Sequence, residues 1–135
     1  MTVYVEAPHV VALIEEHGLT VAPVAWSEAF ALRLSRLAPM GNGVDWTGVD
    51  HRVVAYEAFA EAVWPDVERL FVCYAADQPG LVADAAFVAE HLDELYWKAA
   101  GHRYLCALRG DEPDFRKVIT WNGADRLVFA QWPNR

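Results

Sequence analysis

The sequence has 135 residues, 55% of them hydrophobic and 22% charged, with 11 Lys and Arg against 19 Asp and Glu for a formal charge of −8. That length suits a single domain with its own core, and the apolar share excludes a disordered chain. The negative charge argues against general affinity for nucleic acid or anionic lipid.

Cys73 and Cys106 are too few for a disulfide scaffold or a zinc ribbon. Free thiols suit a reducing compartment. The first nine residues contain no Lys or Arg, unlike a secretory leader. The longest apolar run, Leu70 to Ala76, falls far short of the roughly 20 residues a membrane span needs. The expectation is a cytoplasmic protein with no membrane partner.

Charge is unevenly placed. Residues 1–52 carry a net −3, residues 53–97 a net −8 with Arg69 the only base, and residues 98–135 a net +3. The middle and last thirds either attract one another inside one fold, are simply solvated surface, or leave an acidic face for a basic partner. Such a face speeds encounter with a basic protein and makes the rate salt-dependent.

In chain order, residues 1–7 alternate as a short strand does. Pro8 and Gly18 bracket a helix with Val10, Leu13 and Ile14 on one face. Leu19 to Val24, interrupted by Pro23, reads as an edge strand or a loop. Ser27 is placed to cap a helix carrying Phe30, Leu34 and Leu37 and ending at Pro39. Residues 39–50 hold three glycines, a proline and an asparagine, which makes a loop. Asp50 then caps a helix whose stripe is Val53, Tyr56, Phe59, Ala60 and Val63, with Glu57 and Glu61 exposed at i, i+4. Pro65 limits it.

Arg69 to Ala76 is a continuous β-rich apolar run, typical of a strand covered on both faces. After Asp77-Gln78-Pro79-Gly80, the stripe Leu81, Ala85, Val88, Leu92, Leu95, Ala99 predicts a helix to Ala100, with Gly101 beyond it. The period then falls to two. His102 to Arg109, Phe115 to Trp121 and Arg126 to Trp132 are strands, the last two joined through Asn122-Gly123, a hairpin signal. The fold class is therefore α+β: a mostly antiparallel sheet of about four strands, three to four helices on one face, and a C-terminal three-stranded meander.

Two places invite chemistry. One is the glycine-rich loop, where Asp45, Asp50 and His51 offer oxygen and imidazole groups beside Trp46. Its spacing fits no metal motif, and Asp45-Trp46-Thr47-Gly48 fails the EF-hand pattern. The plainer reading is a loop whose Asp50 caps a helix. The other is the acidic segment, where Trp64 stands among Glu57, Glu61, Asp66 and Glu68. Trp26, Trp46, Trp64, Trp97, Trp121 and Trp132 are many for this length. Aromatics at element ends anchor interfaces or line clefts, although any one of them is ordinarily core.

The remaining signals are weaker. The five histidines form no H-E-x-x-H pattern, and His17 and His91 read as core-edge residues. Cys73 and Cys106 fall inside strands, where a thiol is inert. Arg103, Arg109, Arg116, Lys117 and Arg126 gather in the terminal strands, where a phosphate or carboxylate could bind. There is no G-x-S-x-G elbow, P-loop or dinucleotide fingerprint, so no catalytic residue, cofactor or metal is assigned.

In size, acidity and aromatic content, though in no motif, the chain resembles the small acidic immunity proteins with which bacteria neutralise their own secreted toxins. The resemblance implies a protein-binding module that occludes a basic toxin or enzyme, with Glu57, Glu61, Trp64, Asp66 and Glu68 as contact residues. The alternative is a small-molecule-binding or enzymatic α+β domain using Asp45, Trp46, Asp50 and His51.

Overall fold

A computed structural model describes residues 8–37, 39–40, 43–44, 50–75, 77–96, 104–121 and 126–131. In chain order these form α1 (Pro8–His17), β1 (Thr20–Val21), α2 (Val24–Leu37), β2 (Pro39–Met40), β3 (Gly43–Val44) and β4 (Asp50–Ala55). A 3-10 turn (Tyr56–Ala58) leads into α3 (Phe59–Ala62). Then come β5 (Arg69–Cys73), β6 (Leu81–Asp84), α4 (Ala85–Glu90), α5 (Leu92–Leu95), β7 (Tyr104–Arg109), β8 (Glu112–Trp121) and β9 (Arg126–Gln131).

Seven strands make one antiparallel sheet in the order β1-β6-β5-β7-β8-β9-β4, and β2 with β3 is a separate two-residue ladder. The α+β class and the C-terminal meander β7-β8-β9 agree with the sequence reading. The sheet has seven strands rather than about four. Two of the additional strands come from segments whose apolar spacing predicts helix. Residues 50–55 pair with β9, Val54 opposite Leu127, so Asp50 opens a strand and caps no helix. Residues 81–84 pair with β5, Leu81 opposite Val72, and the expected 20-residue helix is reduced to α4 and α5.

Successive residues of a strand face opposite ways, and both sides of this sheet are covered. Leu70, Val72, Leu105, Ala107, Ile119, Leu127 and Phe129 point to one side, where Val10 and Leu13 of α1, Phe59 of α3, Val88 of α4 and Leu92 and Leu95 of α5 pack on them. Phe71, Cys73, Cys106, Val118 and Ala130 point to the other, beneath Phe30 of α2. Helices therefore lie on both faces, not on one. α2 is the sole helix in the second cluster among the described residues. Its Phe30 stacks on Phe115 at 5.6 Å, and Trp26 meets Phe71 edge-on at 5.5 Å. α2 begins three residues before Ser27, so Ser27 is a fully buried helical residue and not a cap.

The turn from β7 to β8 is two residues long, with Arg109 opposite Glu112. Gly110 sits at φ 64°, the left-handed region a tight hairpin needs at its first central position. Among the described residues no helix is long and apolar enough to cross a membrane.

Candidate functional site

The acidic segment wraps from the 3-10 turn through α3 to the start of β5, on the side of the sheet that carries α4. Glu57, Glu61, Asp66 and Glu68 are all exposed. Three cationic contacts fasten the segment and its neighbours. Arg52 of β4 donates through Nη2 to the Ala62 carbonyl at 2.5 Å and lies 5.4 Å from the Phe129 ring. A cation there complements the carbonyl end of α3. Lys117 of β8 reaches Asp66 at 3.3 Å, and Arg69 reaches Asp111 at 3.2 Å and the Gly110 carbonyl at 2.9 Å. The basic last third thus does meet the acidic middle, at Lys117. Of the nine carboxylates in residues 53–97, only Asp66 pairs with a Lys or Arg among the described residues, and Glu94 is hydrogen-bonded to His91 at 2.7 Å.

Trp64 is half-buried. Its ring lies 5.5 Å from Phe129 and Lys117 Nζ approaches it at 5.9 Å, so most of its role is packing beneath the acidic segment. Trp121 belongs to the core at 5% exposure, because the last position of β8 faces the side covered by α1, α3, α4 and α5. Trp26, on α2, is half-buried against Phe71. Trp46, Trp97 and Trp132 lie outside the described residues.

The alternative ligand site is not assembled by what is described. Asp45 and Trp46 fall outside the described residues. Asp50 and His51 are exposed, consecutive residues at the start of β4, and consecutive strand residues point to opposite sides.

A cavity of about 390 Å³ opens beside the β7–β8 turn, lined by Asp66, Val67, residues 107–110, Asp114, Arg116 and Lys117. Its origin is an irregularity in strand pairing. Cys106 lies opposite Val118, but the next residue, Ala107, lies opposite Asp114. Phe115, Arg116 and Lys117 therefore have no partner on β7, and the strand bends outward there. The Cys106 thiol donates to the Asp114 carbonyl at 3.1 Å. Phe115 turns under α2, while both Arg116 and Lys117 reach the cavity, which adjacent residues of a regular strand would not do.

Inside, Arg116 donates Nε and Nη2 to the two oxygens of Asp114 at 3.1 and 3.4 Å, and its backbone N–H adds a third bond at 3.2 Å. Burial opposes ionisation of Asp114, but those bonds and the charges of Arg116 and Lys117 prevail, holding its carboxyl below the ordinary value of 3.8. The second pair is looser. The Lys117 side chain is 18% exposed, whereas that of Asp66 is 74% exposed. A pair with so wet a partner is worth about 0–1 kcal/mol, little enough to exchange. Arg109 has no ion-pair partner among the described residues. The sequence groups these cations with Arg103 and Arg126. Arg103 lies outside the described residues, and Arg126 is exposed at the first position of β9, opposite Ala55, away from the cavity lining. The contribution of Asp114 has no sequence signature beyond its proximity to Arg116.

Elsewhere the chemistry is quiet. Burial pushes the Cys73 thiol up to about 11, against a smaller opposing pull from the Ser27 hydroxyl, and pushes Cys106 well above its ordinary value. These are inert strand thiols, as their position implies. His17 meets Phe87 and His91, with ring centres 4.9 and 5.2 Å away, where α1 packs on the α4–α5 pair. Among the described residues no group of His, Cys, Asp and Glu is arranged to hold a metal ion. No protein-family model matches the chain, and no curated protein or solved structure matches it either.

Proposed function

We propose that this chain is a protein-binding module whose carboxylate-rich helical side docks on a basic protein and silences it by occlusion, as an immunity-type inhibitor does. The observation that carries the reading is the set of exposed carboxylates with no ion-pair partner among the described residues, Glu57, Glu61 and Glu68 foremost. A fold that needed those charges for its own cohesion would pair them. Glu57 and Glu61 stand on the 3-10 turn and α3, and α3 packs beside α4, which carries the exposed Glu90. The negative field is thus spread over neighbouring elements of one layer. Asp66 is already engaged by Lys117, so it contributes less than its position implies.

The test compares the wild-type chain with a Glu57→Lys, Glu61→Lys, Glu68→Lys variant. Both are tagged, checked for equal far-UV circular dichroism, and used to capture partners from host lysate at low and high salt. One stoichiometric basic protein held by the wild type, released by salt and lost from the variant is the expected result. Reversing three charges in such a face should weaken association by roughly tenfold or more. Retention by the variant at unchanged affinity and salt dependence would reject this surface.

A further inference from the structure

We propose that the cavity at the β7–β8 turn is an anion site that receives the phosphate group of a small phosphorylated molecule. It adjoins the docking face at Asp66, is of opposite charge, and does not depend on that reading.

Three of the chain's eleven bases, Arg109, Arg116 and Lys117, line one cavity in a protein of net charge −8. They converge because β8 departs from β7 for three residues. A regular strand would send Arg116 and Lys117 to opposite sides. Against these cations stand two carboxylates of different kinds. Asp114, with a side chain only 10% exposed, is fixed to Arg116 and holds that guanidinium in place. Asp66 lies at the rim, 74% exposed, on the ammonium of a Lys117 side chain that is 18% exposed. That cation is the permanent part of the site and Asp66 is its exchangeable occupant. With Asp66 displaced, the lining carries Arg109, Arg116 and Lys117 against Asp114 alone, an excess of two positive charges that matches a phosphate dianion. Guanidinium forks and an ammonium are the donors that phosphate oxygens accept best. Arg109, at the mouth and without an ion-pair partner among the described residues, supplies the fork that is free to close on the ligand. The floor is built from the buried Val67, Ala107 and Leu108. A volume of about 390 Å³ admits a phosphate together with a small organic body.

The probes are inorganic phosphate and phenyl phosphate, with acetate and chloride at matched ionic strength as controls. Binding is followed by amide chemical shifts in the full chain. The expected result is saturable movement of the Gly110, Arg116 and Lys117 amides with both phosphates, and none that saturates with acetate or chloride. Arg109→Gln, at an exposed position that should leave the fold intact, abolishes saturation. Asp66→Asn removes the competing carboxylate and tightens phosphate by up to about fivefold, the worth of an exposed ion pair. Shifts that never saturate, equal response to acetate, or a weakened affinity in Asp66→Asn would each overturn the proposal. The Glu57→Lys, Glu61→Lys, Glu68→Lys variant is expected to bind phosphate as the wild type does. Arg109→Gln is expected to keep any basic partner, so failure of one site leaves the other standing.

Discussion

Phe30 is the residue on which the two-sided architecture turns. It is 1% exposed on α2, stacked on Phe115 and within 6.2 Å of Phe71 and 5.7 Å of Tyr104 between ring centres. If α2 seals the second face of the sheet, Phe30→Ala leaves a void over Phe71, Cys106 and Val118. Truncating a buried phenylalanine costs about 3–5 kcal/mol. For a chain of 135 residues, with an unfolding entropy of about 2.1 cal/mol/K per residue, this lowers Tm by roughly 10–18 °C. Leu32→Ala on the same helix is the control, because Leu32 is 54% exposed and such surface changes stay within about 0.5 kcal/mol. Urea unfolding followed by tryptophan fluorescence gives both numbers. A Phe30→Ala cost no larger than that of Leu32→Ala would mean that α2 does not cover the sheet, and the two-sided description would fail.

Three further outcomes follow from the packing at Gly80 and the burial of the two thiols. A methyl group at Gly80 would lie 2.3 Å from both Phe71 Cε1 and the Val72 carbonyl oxygen, so Gly80→Ala should destabilise by about 1–3 kcal/mol in urea through overpacking; wild-type stability would contradict that approach. Cys73 and Cys106 should react with an aromatic disulfide reagent only as fast as the chain opens, and fully in denaturant. Their raised thiol values also fix a sign: above the ordinary value of 9.0, unfolded thiols ionise while folded ones stay protonated, so stability is lost as pH rises past about 9. Free-cysteine reactivity in the native state would refute the burial of either thiol.

What the sequence makes legible here is set by period and length. β5, β7 and β9 are apolar runs or clean alternations bounded by turn residues, and they fold as their patterns imply. α1 has its proline and glycine at the expected ends. β4 and β6 are misread because four to six residues are too few to separate a period of two from one of 3.6. Leu81, Ala85 and Val88 satisfy a helical stripe while Leu81 and Ala83 satisfy a strand. Pairing decided the matter, since β5 and β9 would otherwise leave backbone donors and acceptors open on a buried sheet. The acidic segment is visible as a charge run, yet the burial of Trp64 beneath it depends on Phe129, 65 positions away in the chain. The cation cavity depends on a three-residue slip between strands, and register of that kind has no local code.

The edge strand β4 has a history as well as a place. Its neighbour in the sheet is β9, with Asp50 opposite Gln131 and Ala55 opposite Arg126. At the usual pace of translation, β4 leaves the ribosome roughly 4–15 s before that partner does. During that interval the segment containing Val53 and Val54 has nothing to pair with, whereas β5, β6 and β7 form ladders with strands made close to them in time. The order of synthesis therefore differs from the order in which neighbouring strands become available. The middle strands have partners made close to them, while β4, from the first half of the chain, has its neighbour only once residues 126–131 are made.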